Sequence, residues 1–509
     1  MTRPTSFSRA PRSILDIETT DLVQRASELL ADDFRLASVV GHDDTTSLRV
    51  VYVFLKGPPD QRVELSVRLD PARAQVPTLA AVSFSASRFE RELRDLFGIE
   101  PVNHPQARRL VLHQHWPQAW HPMLRNAGEA PKMVGNGDGY PFIPVDGPGV
   151  YEVPVGPVHA GLIEPGHFRF FVVGETILRM KARLWFTHKG IEKLIEGRSI
   201  EEGLEIAQRV SGDTTVGHGL AFIMAVEEAL GIEVSEVHRR RRAQVLEMER
   251  LYNHVADMGA LCNDVAFSVA NSMALTIRER LLRLNEDLTG HRLLRGAVRL
   301  GACGLRRSLS LDEIDSLGVQ INELLEVVRT NALVLDRFSG TAFLSGVDAR
   351  DLGTVGPVAR SSGLGLDARN AHPFVEMPSA FDVVTDERGD VLARFEVRAR
   401  EIGVALECLR AWSLDAFEPV ADAVHDQRED RRESTSVRLR SGLGVVEGWR
   451  GVIVHRVELD NTGLISRLKI VDPSFLNWPA LPVCLADTIL PDFPVANKSF
   501  NLSYAGNDL

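Results

Sequence analysis

Several residues in this sequence have types and spacings that could do chemistry. Glu164 and His167 share the stretch "IEPGHF" with His159 just ahead of them. A carboxylate and two imidazoles in a partly dry cleft can hand protons on, because burial raises a carboxyl pKa toward neutrality. Arg250 and His254 are one helical turn apart in "ERLYNH", so they project from one face, with Glu249 available to pair beside them. The loop "RVSGDTTVGHG", Arg209 to Gly219, carries Ser211, Asp213, Thr214 and Thr215 just before an apolar run. One of these four is expected to cap the following helix by accepting a backbone N–H bond. His113, His115 and Trp116 in "LHQHW" have no third ligand at metal spacing and read as structural.

The elements that must position these groups fall into two parts. Leu22 to Leu30 reads as a helix, Leu48 to Leu55 and Val63 to Leu69 as strands, and Arg88 to Phe97 as a helix stopped by Gly98. From Ala127 to Val150 the chain is rich in Gly and Pro, which marks a linker. "HFRFFVV" and "ILRMKARLWFT" then read as a hairpin turning at Gly174-Glu175. Ile200 to Val210, Val216 to Leu230, Val237 to Leu261 and Thr276 to Leu288 space apolar residues as helices of a bundle, with Gly231 at a helix stop. The tail from Gly451 reads as strands and loops, with "PSFLNWPALPV" and "LPDFPVANKSFNLSYAG" held extended by their prolines. The fold expected is α+β, a small N-terminal α/β domain over residues 1–125, a linker over 126–150, and a mainly helical domain with a short β hairpin over 151–509.

Composition narrows the function. The 509 residues are 44% hydrophobic, enough for a large core. A net charge of -11 argues against a nucleic-acid partner, and the run His238 to Arg242 reads as a solvated or subunit-facing helix surface. No apolar run is long enough to span a bilayer, and the opening MTRPTSFSRAPRS lacks a secretory core. A soluble, cytoplasmic chain is therefore expected, reaching a membrane only through partners. Cys262, Cys303, Cys408 and Cys484 form no C-x-x-C pair, which suits buried thiols rather than a zinc, iron–sulfur or disulfide framework.

Two sets of motifs carry a family resemblance. "FERELRDLFGIEPVNHPQARRL" resembles the signature of the C, or thirty-kilodalton, subunit of respiratory complex I. "VPVGPVHAGLIEPGHFRF", "THKGIEKLIEG", "ERLYNH", "VGPVARSSG" and "NWPAL" resemble its D, or forty-nine-kilodalton, subunit, and "EPGHFRF" and "AHPF" the large subunit of formate-hydrogenlyase-type nickel–iron hydrogenases. The resemblance implies a fused C-then-D subunit of a membrane-associated oxidoreductase. It would dock on an iron–sulfur small subunit and couple to antiporter-like membrane subunits, peripheral on the inner face of the membrane.

The resemblance also implies roles. In those hydrogenases the stretches matching Arg209 to Thr214 and Asn501 to Gly506 read R-x-C-G-x-C and D-P-C-x-x-C, and their four thiolates hold nickel and iron. Here Ser211, Thr214, Ser503 and Gly506 stand at the cysteine positions. A serine or threonine hydroxyl stays protonated near neutral pH and binds soft metals poorly, so no nickel and no hydrogen evolution are expected. Arg209, Arg250 and His254 match positions facing a cluster held by a neighbouring subunit, where a cation or N–H donor stabilises the reduced form. Glu164 matches a proton-relaying carboxylate, and His159 the first histidine of the quinone-cleft loop. A quinone is the implied acceptor, although the tyrosine expected to meet its carbonyl falls at Gly212. The alternatives are a non-catalytic coupling module of the same assembly and an active hydrogenase large subunit.

Overall fold

A computed structural model describes residues 11–133, 140, 142–161, 163–414 and 440–509. Its first part runs β1 (Arg12–Ile17), α1 (Leu22–Ala31), β2 (Arg35–Asp43), β3 (Leu48–Lys56), β4 (Gln61–Leu69), β5 (Gln75–Pro77), α2 (Phe84–Phe97) and β6 (Glu100–Val102). The strands order β1-β4-β3-β2, with β1 parallel to β4 and the other pairs antiparallel. The hydrophobic helix and strand patterns locate α1, β3, β4 and the C-terminal end of α2, where Gly98 takes a left-handed φ of 68°. Among the described residues no helix or strand lies between Asn103 and Gly149.

A three-stranded antiparallel sheet follows, β7 (Val150–Val155), β8 (His167–Val173) and β9 (Thr176–Arg183), turning at Gly174-Glu175 as expected. Then come α3 (Ile191–Ile195), α4 (Ile200–Ala207), α5 (Thr215–Leu230), α6 (Glu236–Asp264) and α7 (Ser268–Thr289). After the short pair β10 (Val298–Arg299) and β11 (Ala302–Cys303) lie α8 (Leu311–Arg329), α9 (Ala332–Phe338), α10 (Gly346–Asp351), α11 (Gly356–Arg360), α12 (Ala368–Ala371) and α13 (Val391–Ser413). Helices α6, α7, α8 and α13 pack on one another as a bundle. A second antiparallel sheet, β12 (Arg440–Gly448), β13 (Gly451–Leu459) and β14 (Ile465–Val471), lies on α5. Gly442 and Gly444 permit that contact, since a Cβ at either would collide with the carbonyl oxygen of Ala225 or Ala221.

Two expectations are overturned. The tail after β14 is not extended: it forms α14 (Pro473–Asn477), α15 (Ala480–Cys484), α16 (Phe493–Phe500) and α17 (Tyr504–Asp508). Pro473 and Pro494 sit in the first turns of α14 and α16, where a missing N–H does no harm and the fixed φ suits a helix. Nor is the basic run solvated along its length, since only Arg239 and Arg240 stay partly exposed. His238, Arg241 and Arg242 are buried, and Arg242 forms a two-pronged ion pair with Glu227 of α5, at 2.9 Å through Nη1.

One apolar core runs from Leu22 to Leu509, and a polar seam joins the first sheet to the last. Glu64 of β4 takes Arg12 at 2.7 Å and Arg456 of β13 at 3.1 Å, and Arg456 also reaches Glu458 at 2.7 Å. Glu458 takes Arg49 of β3 at 2.9 Å. Lys469 of β14 meets Glu92 of α2 at 2.6 Å, and Arg467 donates to the Gly41 carbonyl at 3.0 Å. Burial raises the Glu64 pKa, but Arg456 and Arg12 outweigh it and hold the group below its usual range.

All four cysteines are buried and unpaired. Burial pushes the thiols of Cys262, Cys408 and Cys484 up to about 12, and that of Cys303 upward. Because the thiolate is the nucleophile, an alkylating reagent at pH 8 is expected to label none of them in the native chain and all four after denaturation. Intact-mass spectrometry reads the count, and fast labelling of any native thiol would contradict this packing.

Candidate functional site

The loop between α4 and α5 meets the loop between α16 and α17. Ser211 donates to Asp213 Oδ1 at 2.8 Å and lies 2.9 Å from the hydroxyl of Ser503. Since the Ser211 proton goes to Asp213, the Ser503 hydroxyl donates to Ser211, while Ser503 Oγ accepts the N–H of Gly506 at 2.9 Å. Thr214 donates to Asp213 Oδ1 at 2.9 Å and accepts from Trp449 Nε1 at 3.1 Å. Arg450 closes the set with a two-pronged pair to Asp213 at 2.7 and 2.6 Å, its guanidinium over the Trp449 ring at 3.9 Å. Burial pulls the Asp213 pKa up, but Arg450 and the two hydroxyl donors outweigh it and hold the group well below the carboxylate range.

None of the four polar residues caps α5. Thr214 stands at the N-cap without a side-chain cap bond, because its hydroxyl is committed to Asp213. The free N–H groups of Val216 and Gly217 go instead to Glu249 of α6, at 2.6 and 2.9 Å. Burial pushes Glu249 up to about 8 although those two N–H groups pull the other way. Glu249 is thus committed to α5 and does not pair with Arg250 or His254.

The second loop rests on Asp472, the N-cap of α14. A Cβ at Gly506 would lie 2.5 Å from the Asp472 carboxyl carbon. Asp472 Oδ2 is 3.0 Å from His218 Nε2, and His218 Nδ1 is 3.0 Å from His455 Nε2. This carboxylate and two imidazoles are all within 1% of full burial. His455 is driven well below its ordinary pKa by burial and then by His218, so it is held neutral.

The other residues singled out in the sequence do not form one cluster. Glu164 joins the second loop, accepting the N–H of Ala505 at 2.9 Å. His159 and His167 bond to the Gly166 and Gly156 carbonyls at 2.8 and 3.2 Å, and all three side chains are partly exposed. Arg209 is exposed and bonds back to the Glu205 carbonyl. Gly212 is exposed as well, and a Cβ there would meet nothing within 4 Å.

Arg250 and His254 are wholly buried. His254 Nε2 lies 2.8 Å from Glu401 of α13, and its ring stands edge-on to Trp449. Glu401 also takes Arg360 at 2.7 Å and Arg250 at 3.7 Å, Arg250 pairs with Glu247 at 3.0 Å, and Arg360 reaches Glu447 at 2.7 Å. His254 Nδ1 has no partner among the described residues. Burial drives His254 down to about 4 against the pull of Glu401. Sequence spacing could not assign Glu401, Arg360, Arg450 or Asp472 their roles, because the partners His254, Asp213 and His218 lie more than a hundred residues from Glu401, Arg450 and Asp472, and Arg360 acts through Glu401. Only the Asp-Pro pair at 472–473 carried a local signal, that of a helix start.

The fold and these loops define a class in which a thirty-kilodalton-type unit precedes a hydrogenase-type unit. The description "Respiratory-chain NADH dehydrogenase, 30 Kd subunit" matches residues 15–130, "Nickel-dependent hydrogenase" residues 189–262, and "Respiratory-chain NADH dehydrogenase, 49 Kd subunit" residues 264–419. Formate hydrogenlyase subunit 5 of Escherichia coli is 31% identical over 459 residues, covering 88% of this chain and 79% of that protein. The C/D subunit of NADH-quinone oxidoreductase from Phocaeicola vulgatus is 27% identical over 446 residues, covering 82% and 84%. A chain of the membrane-bound sulfane sulfur reductase, described as an archaeal respiratory membrane complex, shares the fold with a TM-score of 0.63. Its identity is 24%, covering 71% of this chain and 98% of that one. The chain belongs to the family of complex I 30- and 49-kilodalton-type subunits and formate-hydrogenlyase-type hydrogenase large subunits.

The hydrogenase members of this family imply a nickel–iron group, and these residues do not fit one. Three hydroxyls and a glycine supply no soft anionic donor. The hydroxyls are already spent on Asp213, Trp449 and one another, and Asp472 occupies the volume that a side chain at 506 needs.

Proposed function

We propose that this chain is a subunit of a membrane-associated, complex I-like or hydrogenase-like oxidoreductase that couples electron arrival from a neighbouring iron–sulfur subunit to a quinone or another acceptor, without nickel–iron chemistry. The observation that carries the reading is that Ser211, Thr214 and Ser503, at positions the resemblance matches to metal-binding cysteines, are closed by hydrogen bonds to one another, to Asp213 and to Trp449, with Arg450 on Asp213. The relatives' names supply the oxidoreductase class. Gly212 is exposed beside a 39%-exposed Asp213 side chain and the exposed Arg209, which leaves this loop open to a small acceptor from solvent. Among the described residues no helix is long and apolar enough to cross a membrane, and attachment to the inner face through antiporter-like partners is part of the proposal.

The complete burial of His254 and Arg250 supports the second reading, a coupling module without redox contact of its own. Affinity purification from membranes, with the co-purifying subunits and metals identified, tests both. The expected result is an iron–sulfur subunit, antiporter-like subunits and iron without stoichiometric nickel. Stoichiometric nickel, or a chain that purifies alone, would overturn the proposal. Reduction of a soluble quinone by the complex, lost when bulk is placed at Gly212, favours the first reading over the second.

A further inference from the structure

We propose that a pocket at the end of α2, far in sequence from the loops above, binds a phosphate-bearing anion. The pocket has a volume of about 300 Å³ and is lined by Arg94, Arg108, Arg109, Gln118 and His121, with Asp95 its one carboxylate. Its charge is unbalanced by construction. Asp95 Oδ2 is committed to the N–H groups of Leu110, Val111 and Leu112 at 2.8, 2.8 and 3.2 Å, so it orders the main chain around the pocket. Arg109 is locked by the carbonyls of His113, Trp116 and Pro117, and Arg94 by the Ala107 carbonyl and Glu100.

Arg108 is different. Among the described residues its one side-chain hydrogen bond is a long one of 3.5 Å to Gln106, its guanidinium lies over the Tyr140 ring at 5.8 Å, and its buried Nε has no hydrogen-bond partner. Beneath it Arg91 holds the Arg108 and Arg109 carbonyls at 2.8 Å each. Burial and the nearby Arg108 push Arg91 down to about 10, as expected where positive charge is uncompensated.

Arg94 and Arg109, held by backbone carbonyls, and the less committed Arg108 face a space lined by one carboxylate, Asp95, with Glu100 paired to Arg94, which leaves a net positive site suited to a phosphate, whose oxygens take paired N–H donors. The chain as a whole carries -11, so the pocket is not one sample of a generally basic surface. The volume exceeds that of a bare phosphate and admits a small organic group attached to it. That chemistry belongs both to soluble phosphate esters and to acidic lipid headgroups.

The full-length chain is titrated by calorimetry with inorganic phosphate and with glycerol 3-phosphate, and floated with vesicles of phosphatidylcholine alone or with phosphatidylglycerol. Saturable binding to at least one probe is expected, weakened at least tenfold in Arg108→Gln and unchanged in Arg283→Gln, at an exposed arginine of α7. Binding of the soluble probes alone identifies a free ester, and retention on phosphatidylglycerol vesicles alone a lipid headgroup. No saturable binding to any probe, or equal binding by Arg108→Gln, overturns the proposal. If Arg108→Gln fails to fold, Arg108→Lys takes its place, since it keeps the charge and loses the fork, and undiminished binding there overturns it equally.

Discussion

Gly506→Cys is expected to destabilise the chain by about 1–3 kcal/mol, and restoring cysteine at 211, 214, 503 and 506 together is expected to yield a protein without stoichiometric nickel. A side chain at 506 has to displace Asp472, which lies 2.5 Å from the point where its Cβ would stand. Asp472 is tied to His218 on one side and caps α14 through Ser474 on the other, so moving it breaks two buried bonds as well as overfilling the core. Sulfur at the other three positions would lose the hydroxyl bonds that pair Ser211 with Ser503 and Thr214 with Trp449. Urea denaturation of Gly506→Cys and metal analysis of the fourfold variant, expressed with nickel supplied, read the two effects. An unchanged midpoint, or one nickel per chain, would show that the loops adapt to the lost ligands.

Glu401→Gln is expected to cost about 3–5 kcal/mol, the largest effect of any single substitution considered for this chain. Its carboxylate is the common partner of Arg360, His254 and Arg250 at full burial, and removing it leaves Arg360 to Glu447, Arg250 to Glu247 and His254 without its one hydrogen-bond partner among the described residues. The same cluster sets a pH dependence. His254 titrates at about 4 in the folded chain against 6.5 ordinarily, so between those values the unfolded chain takes up a proton that the folded one refuses. Stability therefore falls as pH drops from about 6.5 to about 4, by on the order of 3 kcal/mol from this group. Glu401 acts lower. Burial raises its pKa, but Arg360 and His254 hold it well below 4.5, so its contribution persists above that value and is lost only as pH falls through the depressed one. Denaturation midpoints from pH 7 to 4 check the first statement and their continuation to lower pH the second, and a flat profile, or a Glu401→Gln midpoint equal to that of the parent, would refute the cluster.

Much of the fold was legible because it rests on local patterns. The 3.6-residue spacing over Val216 to Leu230 and the stop at Gly231 fix α5 whatever surrounds it. The prolines of the tail misled because the same fixed φ serves an extended segment and a first helical turn, and only neighbours decide between them. The site was half legible. That Ser211, Thr214, Ser503 and Gly506 stand where the resemblance implies cysteines can be read from the sequence, but what surrounds them cannot, since Arg450 reaches Asp213, and Asp472 reaches His218, across more than two hundred residues. Glu249 shows the same limit: sequence proximity suggested Arg250 and His254 as partners, and tertiary packing gave it to the start of α5.

The seam of Glu64, Arg456, Glu458 and Arg49 has a consequence for orientation. Two greasy faces can slide over each other by a few ångströms at little expense, whereas interlocked charges out of reach of water fit in one registration only. The opening sheet is thereby keyed to the closing one like a dovetail joint. Anything gripped by the front portion of the molecule is presented to the hydroxyl-lined loops at a set bearing and span.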